Sequence, residues 1–564
     1  MRAAFRSRLV VSSTYEQTNK WINDDIRPLP PRRRTWSTWT YISWWSVFMF
    51  SITNWQIGAS LISLGLSVWQ SMLLIFTSRV LHACLAVACG APGGEWHIGF
   101  PVVSRLVWGI YGSFLPILMR LFLAIFAFAF NTWYGGLCTT AMLQAMSSSF
   151  NSLPDRFPAS SHVTLQELIG WLLFNVLMLP ILAVKPEGSP IIFTAFNAVS
   201  IVTLIAIMVW SLVAADGAGP MLSESTVAVG SLGWTVVKGL STSLASMIAP
   251  LMSQSDFSRF ARQPGDQVIG QFVSFIGLGS IMPLFGCLAA SATQKIWGEP
   301  AWNPPSIIMG WMQHDYSPGT RAAAFFAAAG LMINLLSLNT VENGYAVGMD
   351  MAGLLPRYIN IRRGAYIGLM LSMALCPWQL LASATKFIAV LNGFAIFFAP
   401  ICGIQICDYF FIRTRRLKLT DLYHSRPDGL YYFFHGINIR TLAAWPCGWI
   451  PLVPGLARAA NPTYTAKARL SIEGIDRLYD LNVFYAFFVG FLVYFVICKI
   501  WPPTGLGETD AEDVFESFTP GDIGIQQGMS PGDSNSGHSS TSFEETASGK
   551  RLDGADQLTL APKA

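Results

Sequence analysis

Charge is scarce in this sequence: 12% of its 564 residues are Asp, Glu, Lys or Arg, against about 25% in a typical soluble domain. So few charges cannot cover the surface of a soluble fold this size. With 52% hydrophobic residues and a mean hydropathy of +0.44, most of the chain is expected to meet lipid instead of water. Gly-rich phosphate loops, Cys/His metal clusters and nucleophile elbows are missing too, which excludes a soluble nucleotide enzyme. A net charge of +4 is too small and too scattered for a nucleic-acid partner. Close cysteine pairs are also lacking. Cys84, Cys89, Cys138, Cys287, Cys376, Cys402, Cys407, Cys447 and Cys498 are odd in number and lie mostly in apolar runs, so they read as packing residues, with no resident metal or cofactor expected. The first forty residues hold no apolar signal-peptide core, so insertion is expected to rely on the first membrane span.

What the chain does have is long apolar runs. About twelve approach the 20 residues a helix needs to cross a bilayer: 42–65, 68–89, 114–145, 167–184, 190–213, 231–252, 269–292, 322–346, 365–384, 387–411, 439–457 and 482–501. This predicts an all-α polytopic membrane protein, with a cytoplasmic N-terminal segment over 1–41, a twelve-helix domain over 42–502 and a disordered cytoplasmic tail over 503–564. The tail is rich in Gly, Ser, Asp, Glu and Thr, and Lys550, Arg551 and Lys563 in it are candidate modification sites. Basic residues favour the cytoplasmic side. Arg32, Arg33 and Arg34 therefore place the N-terminus inside, and Arg105, Arg259, Arg262, Arg357, Arg362, Arg363, Arg413, Arg415, Arg416 and Lys418 fall in loops on the same side. An even number of spans returns the C-terminus there.

Two spans carry interruptions. In the first, Thr53, Asn54, Trp55 and Gln56 precede Gly58; in the sixth, Ser241, Thr242, Ser243 and Ser246 precede Pro250. A membrane helix gives up backbone hydrogen bonds only where protein, ligand or trapped water takes them over. Broken helices five apart point to an inverted-repeat secondary transporter with its site near the midplane. Small and polar residues also serve close helix packing, so either interruption alone carries little weight.

The segments GIYGSFLPILMR with NTWYGGLC, SDFSRFAR, GMDMAGLLPRYINIRRGAY and APICGIQICDYFFIR resemble the fungal branch of the nucleobase cation symporter-1 family over residues 36–502. The resemblance implies a five-plus-five inverted repeat with broken helices 1 and 6, two extra helices, and ion-coupled import by alternating access. It implies that Trp133 stacks on the substrate ring, an interaction worth about 0.5–2 kcal/mol with a cation. It also implies that Asn343 hydrogen-bonds substrate and that Asp350 gates. Nucleobase carriers of the family have a glutamine four residues after the tryptophan. Here Leu137 stands there, so WYGGLC looks closer to thiamine and nicotinamide riboside carriers.

Glu342 lies beside Asn343 within a span, where a carboxylate costs about 2.5 kcal/mol or more and marks function by default. Lys238 is a candidate partner for it, and these two read as the ionisable groups outside loops, tail and helix ends. Ser337 matches a hydroxyl ligand of the sodium site of bacterial relatives, whereas Leu338 lacks the next hydroxyl, so H+ is preferred over Na+ as coupling ion. Asp256, Arg259, Arg262, Asp408 and Arg413 read as gate or anchor residues. The expected function is a plasma-membrane symporter for a small planar cationic vitamin or nucleoside, thiamine first. Asn54, Gln56, Asn343 and Glu342 would contact the substrate. A uracil, uridine or allantoin permease is the alternative within the family, and a non-transporting nutrient receptor the alternative outside it. Paired catalytic groups in the membrane are missing, which argues against an enzyme. Oligomeric state is left open.

Overall fold

The twelve apolar runs are helical over most of their described length in the computed structural model, which describes residues 10–11, 20–158, 161–184, 189–223, 225, 231–263, 265–379, 384–460 and 472–530. Span 1 consists of Thr38–Met49 and Ile52–Ser63, here helices 1a and 1b. Span 2 is Val68–Trp96, span 3 Phe114–Met146, span 4 Leu165–Ile181 and span 5 Ser189–Ala214. Span 6 consists of Leu232–Ala245 and Ile248–Met252, helices 6a and 6b. Span 7 is Asp266–Trp297 and span 8 Pro318–Leu354. Span 9 is Ile361–Met373, span 10 runs from Ala384–Ile406 into Cys407–Ile412, span 11 begins with Ile439–Trp449, and span 12 is Asn482–Ile500. Among the described residues seven of these helices are long and apolar enough to cross a membrane unaided. The remaining five are short or broken.

Local chemistry sets the breaks. At Phe50 the chain leaves helix 1a. Ser51, in extended conformation, restarts it by accepting from the Asn54 backbone N–H, and the Asn54 side-chain amide donates back to the Phe48 carbonyl at 2.8 Å. This is N-capping with a second side chain serving the preceding helix end. The cluster around Asn54 therefore starts helix 1b; it is not itself unwound. Helix 6a ends at Ala245, and Pro250 sits in the first turn of 6b, where its missing N–H costs nothing. Helix 1b packs along span 7, and span 3 packs between spans 4 and 8. A Cβ on Gly58 would collide with the Pro283 carbonyl and one on Gly286 with the Trp55 carbonyl, so these glycines let the two backbones touch.

The tail expected to lack structure from residue 503 begins as structure. Residues 503–530 lie across the face of the bundle that carries the N-terminal segment. Arg34 donates to the Asp522 carboxylate at 2.9 Å, Arg27 to the Phe515 carbonyl at 3.0 Å, and Ser517 to the Pro28 carbonyl at 3.1 Å. Phe518 packs edge-on to Trp96. Composition misses this because a few aromatic and acidic anchors suffice when matching groups stand ready on the surface. Residues 531–564, with Lys550, Arg551 and Lys563, lie outside the described residues, as do Arg2, Arg6 and Arg8.

Candidate functional site

A cavity of about 150 Å³ lies where helices 1a, 1b and 6b meet spans 3, 8 and 10. Its walls are mainly apolar and aromatic: Trp44, Trp45 and Phe48 from helix 1a, Phe130 and Tyr134 from span 3, Phe394 and Phe398 from span 10. Polar groups converge on it from four sides. They include Thr53 of helix 1b, Arg120 and Asn131 of span 3, Ser246 and Ser253 of span 6, and Glu342 and Asn343 of span 8. Few polar groups in an apolar pocket are the usual pattern of a small-molecule site.

Span 8 presents its pair through a local irregularity. Residues Asn339–Gly344 form a single π turn, a distortion that recurs at functional sites because it displaces side chains from the regular helical phase. Within it the Asn343 amide donates to Asn339 Oδ1 at 2.7 Å, which leaves the Asn343 carbonyl oxygen for another donor. Glu342 makes no hydrogen bond or ion pair with any described residue.

Of the residues expected to contact substrate, Glu342 and Asn343 line the cavity and Gln56 does not. Gln56 is fully buried behind the wall and donates to the Tyr134 hydroxyl at 2.6 Å, so it orients a lining residue. Asn54 is likewise buried outside the lining, serving the helix 1 break. Trp133 does not line the cavity. Its ring lies 5.5 Å from that of Trp378, which in turn meets Trp171. The reason is helical phase. Asn131 and Tyr134 are three residues apart and share the cavity face, while Trp133 is turned about 200° from Asn131. Leu137, one turn beyond Trp133, also lies off the cavity, so its identity carries no weight against a nucleobase substrate.

Lys238 is exposed, and its charge acts on Asp480 in the helix Ile472–Asp480; no ion pair joins it to Glu342 among the described residues. It lies in the first part of helix 6a, where residues 231–238 are exposed or half-buried, whereas Ser241 to Ala245 are buried all round the helix. Ser337 turns its hydroxyl onto the Asn334 carbonyl of its own helix at 2.8 Å. Asn334 in turn donates its amide to the Phe50 carbonyl at the helix 1 break, at 3.2 Å.

Asp350 and Asp256 share one cation. Arg120, at the rim of the cavity, donates to Asp256 at 2.6 Å and to Asp350 at 2.9 Å, and all three are buried. Asp256 also accepts from the Phe100 backbone N–H at 2.8 Å. Phe100 opens the helix Phe100–Trp108, whose Arg105 reaches the Trp21 carbonyl in the N-terminal segment. The triad thus ties spans 3 and 8 to the segment that follows span 6, between the cavity and the face that carries residues 20–37 and 503–530. Arg413 and Asp408 form a second buried pair at 2.8 Å, and Arg259 donates to the Asp25 carbonyl at 2.6 Å. Arg120, together with Arg79 and His82 of span 2, corrects the expectation that Glu342 and Lys238 were the ionisable groups away from loops and helix ends. All three interrupt apolar runs, and that interruption was the available signal.

Among the described residues, two spans broken beside a central cavity are the architecture of a secondary-transporter fold. The chain belongs to the family of permeases for cytosine/purines, uracil, thiamine and allantoin, whose family model matches residues 28–496. It is 45% identical over 555 residues to the transporter aclS of Aspergillus oryzae, covering 88% of this chain and 90% of that one. It is 32% identical to a thiamine transporter of Saccharomyces cerevisiae (88% and 82% covered) and 29% identical to the uracil permease of that yeast (86% and 76%). In fold it is similar to the nucleobase-cation-symport-1 family transporter Mhp1 in a closed conformation with bromovinylhydantoin bound. The TM-score is 0.66 at 18% identity, over 86% of this chain and 97% of that one. The protein is therefore a membrane permease and not an enzyme.

Proposed function

We propose that this permease is a proton-coupled importer of a small planar nitrogen heterocycle, with compounds carrying a cationic ring, thiamine first and nicotinamide riboside second, as its substrates. The observation that carries this reading is Glu342, an unpartnered carboxylate facing an aromatic cavity beside the amides of Asn131 and Asn343. Aromatic walls suit a flat ring, amides pair with its edge, and the carboxylate balances either a positive ring or a carried proton. Coupling through H+ accords with Leu338, which places no hydroxyl beside Ser337 where the sodium site of bacterial relatives has one. In the proposed cycle substrate enters from outside, and release requires Arg120 to part from Asp256 and Asp350 so that the cavity opens toward the termini. Those termini are assigned to the cytoplasm, and the protein to the plasma membrane.

A neutral nucleobase or allantoin is the second reading. Its support is size: a cavity of about 150 Å³ holds one six-membered ring, and a two-ring vitamin needs it to widen. Competition uptake in a host without its own carriers separates the readings, with thiamine, nicotinamide riboside, uracil, uridine and allantoin offered against a labelled substrate. Tight inhibition by thiamine or nicotinamide riboside is expected. Tight inhibition by uracil, uridine or allantoin alone would replace the first reading by the second, and no accumulation of any label would favour a receptor.

The site assignment has its own test. Asn131→Ala is expected to weaken apparent affinity about tenfold or more, as loss of a buried hydrogen bond to substrate does. Trp133→Ala is expected to reduce the amount of folded protein and leave apparent affinity within about twofold, because it opens a void against Trp378 and not in the cavity. The reverse pattern in saturation curves would restore Trp133 as the stacking residue.

A further inference from the structure

Span 2 carries two basic side chains that the proposed cycle does not use, Arg79 and His82, and both are fully buried. They stand three residues apart on one helix face, and each reaches a broken helix. Arg79 donates through Nη2 to Asn54 Oδ1 at 2.6 Å and through Nε to the Gly279 carbonyl of span 7 at 3.0 Å. Its Nη1 has no hydrogen-bond partner among the described residues. Asn54 passes the contact on to the Phe48 carbonyl, one of those freed at the end of helix 1a. His82 Nε2 lies 3.1 Å from the Leu244 carbonyl near the end of helix 6a. Space for the guanidinium is provided by Gly279, where a Cβ would come within 3.2 Å of Arg79 Cδ.

Both hydrogen-bond partners of Arg79 among the described residues are neutral oxygens, so no carboxylate among them offsets the several kcal/mol that burying a charge costs. What remains to offset it is the C-terminal end of helix 1a, which carries roughly half a negative charge. In transporters of this architecture such half-helix ends and unwound carbonyls bind an inorganic cation. Here chain donors occupy two carbonyls at the end of helix 1a: Asn54, polarised by Arg79, on Phe48, and Asn334 on Phe50.

We propose that Arg79 is a tethered cation, a positioning residue whose guanidinium performs at the helix 1 break the work that a bound inorganic cation performs in ion-coupled relatives of the fold. The break is then held together without Na+, and the coupling ion is freed to act elsewhere. This deepens the proton-coupled reading, and its consequence for transport rests on that reading. The test does not, because it needs no substrate. The full-length protein is purified into nanodiscs and its thermal midpoint recorded in Na+, Li+ or N-methyl-D-glucamine salts, with and without guanidinium at concentrations too low to denature.

The wild-type midpoint is expected to be the same in all three salts. Arg79→Gln, which keeps hydrogen-bonding capacity without charge, is expected to lose about 4 °C or more, and Arg79→Lys less. Arg79→Ala is expected to recover about 2–4 °C with guanidinium, which refills the vacated place, while wild type does not respond. A wild-type midpoint raised by Na+, or Arg79→Gln melting with wild type, would overturn the proposal, as would guanidinium acting equally on Arg79→Ala and wild type. Should Arg79→Ala fail to fold, the Gln and Lys variants and the wild-type salt series still decide. Failure of the symporter reading would show instead as uptake indifferent to a pH gradient, with these melting results unchanged.

Discussion

Glu342→Gln is expected to abolish concentrative uptake while leaving the amount of protein at the membrane unchanged. The two side chains are nearly isosteric, and Glu342 makes no hydrogen bond or ion pair with any described residue whose loss would unfold the protein. Removing a carboxylate from the membrane interior relieves a cost of about 2.5 kcal/mol or more, so the variant should melt no lower than wild type. The functional loss follows from what the carboxylate does. If it carries the proton, one charge moving through 100 mV supplies about 2.3 kcal/mol, which sustains accumulation of about 50-fold. Without it the protein equilibrates substrate and accumulates none. If it balances a cationic ring, binding itself fails. Counterflow in proteoliposomes distinguishes these, since exchange survives in the first case and not in the second. Accumulation at the wild-type level, still driven by a pH gradient, would remove Glu342 from the mechanism.

Arg120→Ala is expected to be the most damaging single substitution for the fold. It leaves Asp256 and Asp350 buried beside each other without their shared cation, and breaking a buried ion pair from one side costs about 3–5 kcal/mol. Little folded protein should reach the membrane. Replacing the whole triad by neutral groups of similar size is far milder in general, so Arg120→Met combined with Asp256→Asn and Asp350→Asn should recover most of the stability. What it should not recover is closure. A cysteine introduced by Ser253→Cys in the cavity wall should label from the face that carries the termini in the triple variant and not with the triad intact. Equal labelling in both would mean that the triad holds the fold together without gating it.

Properties that depend on near neighbours in sequence were legible. Spans come from apolar runs, and the breaks in spans 1 and 6 come from serine, asparagine and proline within a few residues of Phe50 and Ser246. The cavity face of span 8 came from an acid and an amide placed side by side. Phase was harder to read. Span 3 offers Trp133 and Asn131 two residues apart, and only the packing of Trp133 against Trp378 and of Tyr134 against Gln56 says which face looks inward. Lys238 failed for another reason: hydropathy finds a span but not the point along it at which the protein begins to bury the helix.

By itself the sequence determined the solvent of this protein, the number and course of its helices, the two interruptions and the family, since scarcity of charge, run length and capping chemistry are local. Tertiary structure decided which charges serve each other. Arg120 meets partners 136 and 230 residues away, Arg79 works through Asn54 and Gly279 on two other spans, and Asp522 straps the tail to Arg34 across 488 positions. A buried charge is tolerated only where its surroundings neutralise it, and those surroundings come into being when distant segments pack.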